Sequence, residues 1–139
     1  MEWAARVARA CALEMRLADA FGGWVAEVDD PAAKTVLARQ ARHHAFHAQL
    51  WDGIAPVLHD VSPLADPDGD PALVPVVHAL GSLETTVRDG LPALVDAYRS
   101  WAADTSVVAD RPVMRVLDLV LRDEEFDAAE SAALRLASR

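Results

Sequence analysis

The chain has 139 residues, enough for a single domain with a substantial hydrophobic core, and about one residue in five is alanine. Acids outnumber Lys and Arg by 22 to 13, and the resulting charge of −9 repels phosphate backbones and anionic lipid, so neither nucleic acid nor a membrane is expected as a partner. Cys11 is the only cysteine, which excludes an intrachain disulfide and suits a reducing cytoplasm.

The opening stretch, MEWAARVARACALEM, carries an acid at position 2 and arginines throughout. It reads as the start of a helix over 2–28 rather than as a secretory leader, and no apolar run approaches the length of a membrane span. Asp30-Pro31 pairs an N-cap aspartate with a proline at the first helical position and predicts a helix over 31–59, kinked or broken near Pro56. The segment VSPLADPDGD at 61–70 is rich in Pro, Asp and Gly and is expected to be a loop. Asp70-Pro71 repeats the capping device for a helix over 71–103, with a second kink at Gly90-Leu91-Pro92. Asp110-Arg-Pro112 varies it for a helix over 111–138. The expectation is an all-α four-helix bundle forming one domain over 1–139.

Steps of three and four along each helix isolate the face that should meet the core. The first helix yields Trp3, Val7, Ala10, Glu14, Leu17, Phe21, Trp24 and Val28. The second yields Leu37, Gln40, His44, His47, Trp51, Ile54 and Leu58. The third yields Leu73, Val77, Leu80, Glu84, Val87, Leu91, Leu94, Tyr98 and Trp101, and the fourth Val113, Leu117, Val120, Glu124, Asp127, Ser131 and Leu134. Each stripe is mostly apolar and is interrupted near its middle by ionisable residues. Glu14 lies twelve positions into its helix, and His44, Glu84 and Glu124 each lie thirteen into theirs. In helices of matched length these depths predict one shared layer of the bundle. Isolated charges at that depth would cost several kcal/mol, so the layer must be internally paired, partly neutralised or bound to metal. His44/His47 and Glu124/Asp127 each stand one turn apart on a helix face, so each pair can reach one ion or two adjacent ions. Four carboxylates with two imidazoles suit iron or manganese in the divalent state.

This arrangement resembles the ferritin-like superfamily, whose carboxylate-bridged di-iron bundles carry one Glu on the first helix, Glu-x-x-His on the second, one Glu on the third and Glu-x-x-His on the fourth. Glu14 and Glu84 fall where the single glutamates belong, His47 matches the second-helix histidine and Glu124 the fourth-helix glutamate. His44 stands in place of a Glu, and Asp127 in place of a His. The resemblance implies a crossover connection between helices 2 and 3, metal ligation by Glu14, His47, Glu84 and Glu124, with His44 and Asp127 as altered ligands or as groups that support the ligands, and an iron-dependent oxidoreductase of hydroxylase type acting on a small molecule. The residues leave open a metal-free polar network in a bundle that serves as a structural or partner-binding subunit. His43 sits on the flank of the stripe and reads as a surface residue, His59 and His78 as ordinary helix-end histidines. Trp3, Trp24, Trp51 and Trp101 read as core packing or a dimer face. No Gly-rich phosphate loop, Ser-His-Asp arrangement or cysteine pair supports hydrolytic or nucleotide chemistry.

Overall fold

In a computed structural model, residues 2–55, 66–105 and 110–137 are described, and they form helices and turns with no strand among them. The fold is all-α. No helix among the described residues is long and apolar enough to cross a membrane. The chain groups into two compact units, Met1–Val74 and Pro75–Arg139.

The first unit is a helical hairpin. Helix α1 spans Glu2–Glu27 and buries Ala4, Val7, Ala10, Leu13, Leu17 and Phe21, an apolar face recurring at three- and four-residue steps. Helix α2, Pro31–Ile54, opens as the capping signal requires: the Asp30 carboxylate accepts the Ala33 N–H at 3.2 Å and Pro31 takes the first turn. Lys34, the single lysine, donates to the Val25 carbonyl at 2.7 Å and so satisfies an acceptor in the last turn of α1. Partners on α2 rise in number as those on α1 fall (Lys34 on Val25, His44 on Glu14, Ala48 on Cys11), so the two helices run antiparallel. Helix α2 stops at Ile54, with Ala55 extended at φ −61° and ψ 126°, the region to which a residue preceding proline is confined. The expected continuation to 59, and most of the loop at 61–70 with the crossover it would carry, lie outside the described residues.

A 3-10 turn, Pro67–Gly69, docks on α1. Arg6 reaches Asp70 at 3.8 Å, and Gly69 lies so close beneath Arg9 that a Cβ there would come within 2.8 Å of the guanidinium. Only glycine allows that approach without moving Arg9.

The segment over 71–103 departs from the single helix expected there. Asp70 turns the chain by accepting the Ala72 N–H at 3.0 Å, and helix begins only at Val74. The run is then divided into α3 (Val74–Ala79), a single turn α4 (Leu83–Thr85), a π-helical turn (Thr86–Gly90) and α5 (Leu91–Asp104). Gly81-Ser82 breaks it. Ser82 adopts an extended conformation and its hydroxyl accepts the Thr85 N–H at 3.1 Å, the signature of a new N-terminus. The hydroxyls of Thr85 and Thr86 donate to the Ala79 carbonyl at 2.6 and 2.8 Å, satisfying an acceptor that the break would otherwise strand. The π turn accompanies Pro92, which offers no N–H to the carbonyl four residues back; widening the preceding turn accommodates the ring. Helix α5 buries Leu91, Leu94, Val95, Tyr98 and Trp101. Helix α6 (Arg111–Ala137) packs on it and buries Val116, Leu117, Val120, Glu124, Asp127 and Ser131. Arg99 and Glu125 join the two helices on the exposed side at 2.9 Å.

Candidate metal centre

Three of the residues singled out by the sequence meet in the first unit. Glu14 stands on the buried face of α1 between Leu13 and Leu17, while His44 and His47 stand one turn apart on α2, preceded on the same face by Gln40 and followed by Trp51. Because the hairpin is antiparallel, the middle of one helix faces the middle of the other. Nδ1 of His44 lies 2.6 Å from Oε2 of Glu14, and Nδ1 of His47 lies 3.4 Å from Oε1. All three side chains have 0% exposure, and the atoms they offer as ligands lie within 4.8 Å of one another.

One carboxylate therefore serves two imidazoles, an oxygen for each. Burial pushes the Glu14 carboxyl up, but the charge of His44, hydrogen bonds from His44 and His47, and the charge of His47 together outweigh it and hold the group well below the usual carboxylate range. Glu14 is thus ionised and can only accept, so Nδ1 of His44 is the donor of the 2.6 Å hydrogen bond.

The surroundings in this unit are mostly aromatic. Phe21 lies against His44 with ring centroids 5.1 Å apart and is itself met edge-on by Trp24. His43 stacks on His47 at 6.3 Å, and Phe46 tilts toward the same ring at 6.4 Å. Cys11, one turn before Glu14, donates its thiol to the Ala48 carbonyl at 3.4 Å; burial, then the charges of Asp52 and Glu14, push the thiol up from its ordinary value.

In the second unit Glu124 and Asp127 are both fully buried, one turn apart on α6, with Ser131 one turn further. Glu84 is not in the core. Its side chain is 67% exposed and pairs across one turn with Arg88 at 3.9 Å, because the restart at Ser82 puts it in the first turn of α4 rather than at mid-helix. The buried polar residue of that segment is Thr86, which no stripe included; its neighbour Thr85 and the serine three positions before were the available signal.

Two imidazoles and one carboxylate form the donor set typical of mononuclear non-haem iron, and such sets take manganese as well. Metal–ligand bonds of about 2.0–2.2 Å place neighbouring ligand atoms roughly 3.0–3.5 Å apart. The 3.4 Å separation of His47 from Glu14 already has that value, and the 2.6 Å contact of His44 would open by about half an ångström as an ion replaced the shared proton. The donors fit a divalent ion. Comparison with protein-family models, curated proteins and solved structures finds no match.

Proposed function

We propose that this chain is a ferritin-like, divalent-metal-binding protein whose centre is built on Glu14, His44 and His47, with iron or manganese as the metal. The activity proposed is that of an oxidoreductase of hydroxylase type acting on a small molecule. The observation that carries this reading is the convergence of one carboxylate and two imidazoles, all fully buried, on the facing middles of α1 and α2. Burying three ionisable groups is expensive, and a bound dication offsets that expense. Of the other donors that the sequence pattern names, Glu124 and Asp127 are fully buried on α6, and Glu84 is exposed beside Arg88. The ferritin-like topology, with its crossover between helices 2 and 3, belongs to the same proposal.

When bound, iron would supply one-electron redox chemistry and a seat for dioxygen. The chain's own contribution is plainer. Glu14 would neutralise part of the ion's charge, His44 and His47 would supply neutral nitrogen donors once the protons they share with Glu14 are released, and Phe21 walls one side of His44 from water.

The test is elemental analysis of protein purified without chelator, followed by melting with and without added Mn(II). Bound metal in the parent, lost in His44→Ala and His47→Ala, and a higher melting temperature with Mn(II) are expected. The 2.6 Å contact between His44 and Glu14 favours one alternative, a metal-free bundle with an internal ion pair that serves as a structural or partner-binding subunit. Absence of metal together with identical melting in both conditions would select it.

A further inference from the structure

A fully buried centre needs a route by which a hydrated ion reaches it, and the side chains packed on the two imidazoles are where such a route would begin. Three rings pack on the two imidazoles: Phe21 on His44, and His43 and Phe46 on His47. Phe21 is buried, and neither phenylalanine carries a ligand atom. His43 differs on both counts. It is half-buried, so part of it meets solvent, and it carries ring nitrogens able to hold a metal.

His43 and His47 are separated by one helical turn, and their rings are near-parallel, 23° apart, with centroids at 6.3 Å. A metal–nitrogen bond of about 2.1 Å puts an ion roughly 3.2 Å from a coordinating ring's centre and in its plane, so two rings sharing an ion at octahedral or tetrahedral angles stand about 4.6–5.3 Å apart. The observed spacing is about an ångström wider, so His43 reaches an ion held by His47 by turning about its side-chain bonds, which its half-buried position allows. His47 is also 3.4 Å from Glu14 through Nδ1. One imidazole thus touches the surface histidine on one side and the buried carboxylate on the other. The chain's charge of −9 draws cations toward it in the first place.

We propose that His43 is the loading ligand of the centre: with His47 it forms a transient site at the protein surface that strips water from an incoming divalent ion and passes it inward to His47, His44 and Glu14. The proposal rests on the metal-binding reading above. It assigns to His43 a role in the rate of metal uptake and none in the resident ligand set.

The experiment is stopped-flow uptake of Co(II), followed by its visible absorption, by the metal-stripped parent, His43→Ala, His43→Gln and the control His78→Ala, whose histidine is exposed on α3. Equilibrium affinity is measured in parallel by titration. The expected result is loading several-fold slower in both His43 variants, with parental affinity and parental loading in His78→Ala. Loading at the parental rate in His43→Ala overturns the proposal. So does a loading defect mirrored by an equal loss of affinity, because a ligand visited only in passing speeds uptake and release alike. A parent that shows no Co(II) absorption at all is a separate outcome, seen before any variant is compared, and it overturns the metal-binding reading itself.

Discussion

His44 donates Nδ1–H to Oε2 of Glu14 across 2.6 Å, and neither side chain meets solvent. In the metal-free protein this pair is both a stabiliser and a liability, because Glu14, which also meets His47, and His44 are buried charges that stabilise one another. Removing one partner of a buried, hydrogen-bonded charge pair typically destabilises by about 3–5 kcal/mol, whereas replacing both with apolar groups of similar size is often close to neutral. In chelator-treated protein, Glu14→Ala and His44→Ala are each expected to lower urea stability by that order, and the double variant Glu14→Leu/His44→Leu to recover much of the loss. Since the Glu14 carboxyl is held below its unfolded value, its contribution is present above the ordinary carboxylate range and lost as pH falls through the folded value. Additive single effects, with no recovery in the double variant, would show that the two side chains do not act as a pair.

Glu84 supplies the contrast. It occupies the expected depth in the sequence but is exposed, with Arg88 as its partner one turn on. Surface pairs of this kind contribute little. Glu84→Gln is expected to keep the parental melting temperature and the parental response to Mn(II). A clear loss of either would mean that Glu84 belongs to the site after all.

The two glutamates show how much of this protein is legible in its sequence. On α1, α2 and α6 the three-four pattern runs along the whole helix, and the middle of each face read from it is buried, as with Leu37, Gln40, His44, His47 and Trp51 on α2 and Leu117, Val120, Glu124, Asp127 and Ser131 on α6, while Trp24, Ile54 and Val113 are half-buried. Depth along such a helix is meaningful, which is why the sequence pattern alone sets Glu14 level with His44. The depth of Glu84 is counted from Pro71 through a helix that does not exist. Gly81-Ser82 ends one helix and caps another, and an acid in a first turn answers the helix dipole rather than a buried layer. Thr86 escapes the pattern for a related reason, since an uncharged residue in a π turn interrupts no stripe and has no spacing of its own. His43 is legible as a residue one turn from His47, but its ring stacking is not, because side-chain direction on the flank of a helix depends on what packs there.

Cys11 allows a test of the electrostatics around Glu14 that needs no metal. Burial, Asp52 and Glu14 all disfavour its thiolate, in that order, so the thiol is held above its ordinary value. Alkylation by iodoacetamide is expected to be slower than that of a free thiol at pH 8, with a rate that keeps rising at pH values where a free thiol has levelled off. Asp52→Asn removes one of the charges from an exposed position and should move the profile toward lower pH. A midpoint at or below the free-thiol value would contradict the arrangement of Cys11 beside Ala48 and Glu14.

Glu124 separates a metal donor from an ordinary buried acid. Its side chain is fully buried on α6, one turn from Asp127, so its charge is taken out of water whichever reading holds. Gln keeps the shape and two hydrogen-bonding ends but removes the charge that a dication would neutralise. In chelator, Glu124→Gln is therefore expected to melt at or above the parent. With Mn(II) the parent gains stability in proportion to its occupancy, about 2.7 kcal/mol when the free metal is 100 times the dissociation constant. The variant should gain clearly less at the same concentration, because a neutral amide oxygen is a poorer ligand than a carboxylate. Asp127→Asn, tested in the same way, asks whether the second acid of the turn shares that role. If Glu124→Gln keeps the full Mn(II) gain of the parent, Glu124 is not a ligand.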